Sequence, residues 1–422
     1  MRGARALTLT LVLLFAAPPL EADWQQPDPS YRDAQFALRA AIRDTTGQGG
    51  SLARLDTLAL AHLRLGHETD ARRLFSRVLE ISPADGAARA ALAKLALFAD
   101  RPAEAESLLA GALEADETAP FDLLAARIRL GRYAEASALA DSLEMAGRAD
   151  LLRRMAEGGT YALSGTPGAR LMFTRLQPVP LVRVKLNGQS VLMAVDLGAG
   201  DLLIDDFCAI QCKVTGGPAQ TPVPWDGTRV SVKNAMVRRL EISGVRLENL
   251  PAGVLPLRRW GIEVNPNGER VAGVIGLGVL RHFAPVLNFR DGRLELAPAG
   301  TPIAAGSDAR RVPFQLWGES EMMVRGSISG GRSMAMIVTT GIPGCGVAAP
   351  PEVFEELGIR SGVLSRMIRG AGTALAGAPW TQVSASAVTV GALSRDKVTG
   401  WSGAMASSEL WRHGVRRDAA LS

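Results

Sequence analysis

The chain has 422 residues, too many for one hydrophobic core, so several domains of ordinary size are expected. Its 47% hydrophobic and 21% charged residues are typical of a globular chain and exclude a disordered or fibrous one. The 47 basic and 42 acidic side chains give a formal net charge of +5. Lys/Arg-rich blocks and basic helices with interleaved aromatic residues are missing, which argues against nucleic-acid binding.

The N-terminus has the residue order of a secretory leader. Arg2 and Arg5 precede a largely apolar run from Leu7 to Ala17, and the small residue Ala22 follows a Pro-Pro pair. This order predicts a signal peptide over residues 1–22. The alternative is an uncleaved anchor, but the run is shorter than the roughly 20 residues that cross a bilayer. We therefore expect an exported protein without a membrane span after cleavage, periplasmic in a Gram-negative source and secreted otherwise.

Residues 30–157 are rich in Ala, Leu, Arg and Glu, with apolar residues at helical spacing, which predicts an all-helical domain. Within it, Ala71, Phe75 and Pro83 follow a small, bulky and terminal-proline pattern. The same pattern returns at Ala105, after the 34-residue interval of tetratricopeptide repeats, which this region resembles. That resemblance implies a surface for a protein partner. The alternative is a helical spacer that packs on the next domain.

A Gly-rich stretch from Gly158 to Gly168 ends the helical pattern and predicts a domain boundary. Apolar and charged residues then alternate from Val182 to Leu186, Asn187-Gly188 predicts a tight turn, and Val191 to Val195 predicts a returning strand. The chain therefore changes from helices to a β-hairpin.

The returning strand ends at Asp196, followed by Leu197-Gly198-Ala199-Gly200, and Gly273-Val274-Ile275-Gly276 comes much later. An isolated Asp-x-Gly can simply cap a turn. Together with the preceding hairpin, however, these segments resemble a retropepsin-like aspartic protease lobe over residues 171–298. The resemblance implies peptide hydrolysis without a metal or organic cofactor, with Asp196 as the catalytic carboxylate. It also implies a supporting scaffold around that carboxylate, formed by Gly198, Ala199, Gly273 and Gly276.

Two other acidic features lie in the same region. Asp226-Gly227, between apolar strands, predicts a hairpin turn that is either a flap over the cleft or an ordinary surface hairpin. Asp205 and Asp206 precede a predicted short helix, so helix N-capping is preferred over an acid and base pair.

The three cysteines predict neither a metal site nor a nucleophile. Cys208 and Cys212 are four residues apart, which on a helical turn permits a local disulfide, and two free buried thiols are the alternative. Cys345 is left over, and the four histidines are scattered without metal-ligand spacing.

An internal repeat indicates that the lobe is duplicated. Residues 188–198 align without a gap to residues 331–341, at a constant offset of 143. The alignment predicts a second retropepsin-like lobe over residues 309–422.

The second lobe departs from the pattern needed for hydrolysis. Aspartic proteases use two carboxylates that share a proton and activate a water. Here Thr339 takes the partner's position, and a hydroxyl cannot take over that proton exchange near neutral pH. Leu197 also replaces the Thr or Ser whose hydroxyl ties the two loops together in the family. With no counterpart of Gly273–Gly276 found, we expect a degenerate and truncated second lobe.

The sequence thus predicts a multidomain α + β protein with tetratricopeptide-like helical repeats followed by two retropepsin-like all-β lobes, the second degenerate. The implied function is an aspartic-type peptidase acting on a peptide or protein substrate. Three arrangements stay open: an Asp196 pair in a homodimer, a dyad-deficient cleft within one chain, or Asp196 working with Thr339. The alternative function is a catalytically inactive peptide-binding or scaffold protein that uses the helical repeats and the β cleft.

Overall fold

The structure is a computed structural model that describes residues 35–40, 42, 52–177, 179–225, 228–257, 269–304, 306–318, 321–342, 344–360, 380–405 and 415–422. The predicted signal peptide and the predicted flap turn at Asp226-Gly227 lie outside the described residues. Within these ranges, every helix is too short or too polar to cross a membrane.

The N-terminal part is a series of helices that pack consecutively against one another. Small alanines such as Ala71, Ala105 and Ala136 are fully buried where the helices meet, which allows close approach, while Leu and Phe fill the seams. Gly66 and Gly131 end their helices with φ of 72° and 71°, a conformation that glycine adopts without strain. The helices are α1 (Leu52–Arg64), α2 (Glu68–Ile81), α3 (Gly86–Phe98), α4 (Pro102–Leu109), α5 (Ala119–Arg129), α6 (Tyr133–Ser142) and α7 (Ala146–Ala156).

The first lobe consists of an eight-stranded sheet in the order β1-β8-β5-β9-β4-β3-β7-β6 and a three-stranded sheet in the order β10-β11-β2. The alternation predicted for β3 is confirmed, since Val182, Val184 and Leu186 are buried and the charged residues between them are exposed. The elements are β1 (Ala162–Gly165), β2 (Ala169–Met172), β3 (Leu181–Leu186), β4 (Gln189–Val195), β5 (Leu202–Asp205), α8 (Asp206–Gln211), β6 (Thr215–Trp225), β7 (Thr228–Ile242), β8 (Val245–Leu255), β9 (Val271–Ile275), α9 (Leu277–Leu280), β10 (Phe283–Asn288) and β11 (Arg293–Pro298).

The predicted start of this lobe at residue 171 is too late. Strand β1 lies within the Gly-rich stretch interpreted as a boundary, and it pairs with β8, with Ala162 opposite Glu248 and Gly165 opposite Val245. All four of its residues are exposed, so it lacks the buried alternation by which strands are recognised in a sequence.

The second lobe contains one seven-stranded sheet in the order β12-β13-β14-β18-β15-β17-β16. Its elements are β12 (Phe314–Trp317), β13 (Glu321–Ile328), β14 (Met334–Val338), β15 (Val347–Ala349), α10 (Pro351–Glu356), β16 (Thr381–Val390), β17 (Leu393–Ser402) and β18 (Ala419–Leu421).

The expectation that the second lobe lacks a counterpart of Gly273–Gly276 is wrong. Strand β18 pairs in parallel with β14 and antiparallel with β15, just as β9 pairs with β4 and β5 in the first lobe. The backbone N–H of Thr339 donates to the carbonyl of Leu421 at 2.9 Å, and that of Asp196 donates to the carbonyl of Ile275 at 3.0 Å. The short Ala-Ala-Leu sequence of β18 has no glycine signature and lies outside the gap-free alignment.

The helical array bridges the two lobes. Phe98 in α3 stacks on Trp317 in β12, with ring centroids 4.8 Å apart and an interplanar angle of 21°. Arg129 at the end of α5 donates a hydrogen bond to the carbonyl of Leu316 at 3.2 Å. At the other end of the array, α7 packs against β6, β7 and β8. Part of the helical surface is therefore covered by the chain's own β lobes. This packing is what the alternative interpretation of the repeats, a helical spacer that packs on the next domain, leads one to expect.

Candidate active site

The loops that follow β4 and β14 meet where the two lobes join. The hydroxyl of Thr339 donates a hydrogen bond to Oδ1 of Asp196 at 2.7 Å. Asp196 is 0% exposed and Thr339 is 2% exposed. Both halves of the candidate site therefore come from one chain, and the predicted partner position does face the predicted catalytic carboxylate.

One oxygen of the Asp196 carboxylate collects the hydrogen-bond donors. Besides the Thr339 hydroxyl, Oδ1 accepts from the backbone N–H of Gly198 at 2.8 Å and from that of Thr340 at 3.0 Å. Oδ2 is buried and has no hydrogen-bond partner within the described part of the chain. Hydrogen bonds thus hold the carboxylate through Oδ1, whereas Oδ2 is buried and accepts none from the described residues.

Burial raises the pKa of Asp196, because removal from water penalises the charged form. Hydrogen bonds from Thr339, Gly198, Thr340 and Gly341 stabilise the carboxylate and act in the opposite direction. The net direction is upward, so these donors offset burial only in part.

Thr340 supplies the tie between the two loops that Leu197 cannot make. Its hydroxyl donates to the carbonyl of Val195 at 2.8 Å and accepts from the backbone N–H of Leu197 at 3.3 Å. The Thr340 hydroxyl of the second loop is thus hydrogen-bonded to the residues that directly precede and follow Asp196. The hydroxyl tie that Leu197 cannot supply is therefore provided from the opposite lobe.

The two loops share the same internal design. Gly198 N–H donates to Oδ1 of Asp196, and Gly341 N–H donates to the hydroxyl of Thr339 at 3.0 Å. The hydroxyl therefore occupies the same local position as the carboxylate in a twofold-like arrangement.

The predicted scaffold residues lie around Asp196 at close range. A Cβ placed on Gly198 would lie 2.7 Å from Cβ of Thr339, so only glycine lets the two loops approach this closely. A Cβ on Gly273 would lie 2.1 Å from the carbonyl oxygen of Leu203 in the neighbouring strand. Gly276 approaches the carbonyl oxygen of Ala199 in the same manner, and Leu277 N–H donates to that carbonyl at 2.7 Å.

Replacing Thr340 with valine is expected to destabilise the protein by about 1–3 kcal/mol. Valine keeps the shape but removes the donor to Val195 and the acceptor for Leu197, which leaves partly buried backbone groups unpaired. Chemical denaturation measures the change in free energy of unfolding. Thr389→Val is the matched control, because it removes an exposed hydroxyl pair with Ser394 elsewhere in the second lobe. Equal losses in both variants would contradict the role of Thr340.

The other candidate side chains take no part in the hydrogen bonds around Asp196. Asp205 is the N-cap of α8 and accepts from the backbone N–H of Phe207 at 3.1 Å, which confirms the preferred interpretation. Cys208 and Cys212 are free, buried thiols with their Sγ atoms 3.5 Å apart. Across the described segments, no group of three or more His, Cys, Asp or Glu side chains could hold a metal ion.

The role of Thr340 was not predicted from the sequence, although the sequence contains a signal for it. The gap-free repeat pairs Thr340 with Leu197, at the very position where the resembling family carries a hydroxyl. A tie from the second loop instead of the first was therefore foreseeable.

Comparisons with known proteins match two parts of the chain. Residues 182–279 match the family model for aspartyl proteases, and residues 62–128 match the model for tetratricopeptide repeats. No curated protein matches the chain. Among solved structures, the chain is similar to a retropepsin-like aspartic protease from Rickettsia conorii, with 13% identity and a TM-score of 0.24. That similarity covers 32% of this chain and 94% of the other.

Proposed function

Because this chain joins tetratricopeptide repeats to a region of the aspartyl protease family with a retropepsin-like fold, we propose that it is a dyad-deficient member that binds peptides without hydrolysing them. The peptide would lie in the cleft between the two β lobes. The observation that carries this proposal is the hydrogen bond from Thr339 of the second lobe to the buried Asp196 carboxylate.

The chemistry of this pair does not fit the aspartic protease mechanism. That mechanism needs one carboxylate as a base and a second carboxylic acid as a proton donor, with a water between them. A threonine hydroxyl is a poor acid, and here its proton already points to Oδ1 of Asp196. Asp196 is also 0% exposed, so water does not reach the carboxylate in this arrangement.

The geometry also disfavours an Asp196 pair made by two copies of the chain. Thr339 lies 2.7 Å from Oδ1 of Asp196, in the place that a second carboxylate would have to occupy. The same threonine lies so close to Gly198 that a Cβ placed on this glycine would be 2.7 Å from Thr339 Oγ1. A homodimeric dyad would therefore require the second lobe to leave the first.

An aspartic-type peptidase is the second candidate function. It is favoured by the family match over residues 182–279, which includes Asp196 and the scaffold glycines. In a closed monomer, hydrolysis would have to proceed with Asp196 as the only carboxylate and Thr339 as its partner. The burial of both side chains favours binding over this route.

Binding of fluorescently labelled, unstructured peptides tests the proposed function. We expect a rise in anisotropy that saturates, with affinities of the wild type and Asp196→Asn within about threefold of each other, since this carboxylate is 0% exposed and out of reach of a bound peptide. Absence of saturable binding to any peptide of a diverse set would refute the proposal. So would a large loss of affinity in Asp196→Asn, because it would show that peptides contact this carboxylate.

A further inference from the structure

Two histidine side chains meet at the turn that joins α1 to α2. His62 lies in the last turn of α1, and His67 directly precedes α2. Their Nδ1 atoms are 3.2 Å apart, and their ring centroids are 5.4 Å apart at an interplanar angle of 54°. Gly66 reverses the chain between them with its positive φ of 72°. The two imidazoles therefore direct the same ring nitrogen toward each other.

The His67 side chain does not cap the helix that it precedes. It occupies the N-cap of α2, where Ser, Thr, Asp and Asn are favoured because their oxygens accept from the first N–H groups of a helix. The ring of His67 makes no such bond. Instead it faces His62 from an exposed position, and the side chain of His62 is 14% exposed. Solutes can therefore reach the pair from outside the protein.

The distance between the two nitrogens suits shared coordination of one metal ion. Zn²⁺ binds imidazole nitrogens at about 2.0–2.1 Å in tetrahedral geometry, which places two of them about 3.3 Å apart. The Nδ1 atoms of His62 and His67 are separated by nearly this distance. A hydrogen bond between the rings needs a proton on one Nδ1, whereas coordination through both needs each ring proton on Nε2. This change of tautomer leaves both rings neutral.

The charged groups beside the pair compensate each other. Oδ2 of Asp70 lies 3.9 Å from Nδ1 of His62, and Arg73 donates to Oδ1 of Asp70 at 3.3 Å. Both of these side chains are well exposed, at 49% and 70%, so water screens the charge of the guanidinium group. Asp70, the nearer of the two to His62, favours a cation.

We propose that His62 and His67 together bind one divalent transition-metal ion, such as Zn²⁺. Imidazole nitrogen is a preferred ligand of Zn²⁺, Cu²⁺ and Ni²⁺, whereas Mg²⁺ prefers oxygen. The described residues offer no group of three or more ligands, so water would fill the remaining coordination positions.

The ion would brace a turn that contacts the second lobe. Glu68, which follows His67, pairs with Arg325 of β13 at 2.5 Å and accepts a hydrogen bond from Gln315 of β12. The ion would link the end of α1 to the start of α2 in the folded state, where its two ligands are held together. Its binding would therefore raise the free energy of unfolding.

Calorimetric titration of the full chain with Zn²⁺ at pH 7.5 tests this site, with Mg²⁺ as the control cation. We expect saturable binding of Zn²⁺ only, and a higher Tm at saturating Zn²⁺. His67→Gln should weaken Zn²⁺ binding at least about tenfold, since even the loss of a partner that orients a ligand costs about that much. It should also abolish the rise in Tm. Because His67 is exposed, this variant is expected to fold.

His282→Gln is the matched control, because the ring of His282 stacks on Tyr161 in the first lobe. It should leave the affinity for Zn²⁺ unchanged. The electron paramagnetic resonance spectrum of the Cu²⁺ complex should show two imidazole nitrogens in the wild type and one in His67→Gln. Absence of saturable Zn²⁺ binding, equal affinity of the wild type and His67→Gln, equal losses in the two variants, or the same Cu²⁺ spectrum for the wild type and His67→Gln would each overturn the proposal.

Discussion

Replacing Thr339 with aspartate is expected to make the protein much less stable at pH 7 than at about pH 4. The new carboxyl group would lie beside Oδ1 of Asp196 in a fully buried place. Two carboxylates at such short range cannot both ionise, so the folded pKa of the pair rises above the unfolded value of about 4. The stability of a group with a raised folded pKa is retained below its unfolded pKa and is lost as the pH rises through the folded value. At pH 7 the expected cost is about 3–5 kcal/mol, as for an uncompensated buried charge.

Denaturant titrations of Thr339→Asp at the two pH values measure this difference. Thr339→Asn is the matched control, because it has nearly the same shape as aspartate without an ionisable group. Its free energy of unfolding should follow that of the wild type as the pH changes. If Thr339→Asp lost the same stability at both pH values, the two side chains would not face each other as described.

Replacing Trp317 with alanine is expected to destabilise the protein by about 3–5 kcal/mol and to loosen the helical array from the second lobe. Trp317 is 1% exposed, and it belongs to one continuous core with Phe98 of α3 and Met323 of β13. The stacked ring of Phe98 would lose its partner and face a cavity. An ion pair between Glu68 and Arg325, at 2.5 Å, is a smaller, partly exposed link across the same interface.

Chemical denaturation and limited proteolysis measure the effect of Trp317→Ala. Phe314→Ala is the control on the same strand, because Phe314 is 57% exposed and its loss should change the free energy of unfolding by less than about 0.5 kcal/mol. Faster cleavage within the helical array or the second lobe is expected in Trp317→Ala alone. Equal stability of the two variants would show that β12 does not join the array to the second lobe.

The parts of the fold that depend on local patterns could be predicted from the sequence. The alanine spacing of the repeats, the alternation in β3 and the turn at Asn187-Gly188 are contained in short stretches of chain, and all of them form as expected. The position of Thr339 opposite Asp196 followed from the gap-free repeat, because equivalent loops of duplicated lobes meet at a common axis.

What escaped prediction depends on contacts between distant parts of the chain. Strand β18 is recognisable only by its pairing with β14 and β15, since its sequence carries neither glycine nor a β-branched residue. Likewise, nothing local in β12 indicates that Trp317 packs on Phe98, more than two hundred residues earlier. The pocket beside Asp201 is assembled from helices and a loop that are separate in sequence.

The most direct test of a peptide-binding, non-hydrolytic function is a search for Asp196-dependent cleavage. The wild type and Asp196→Asn would each be incubated with a mixture of unstructured peptides at mildly acidic and neutral pH, and the fragments quantified by mass spectrometry. We expect identical fragment profiles for the two proteins, with no product that requires the carboxylate. Products formed by the wild type and absent with Asp196→Asn would contradict this function and establish a peptidase.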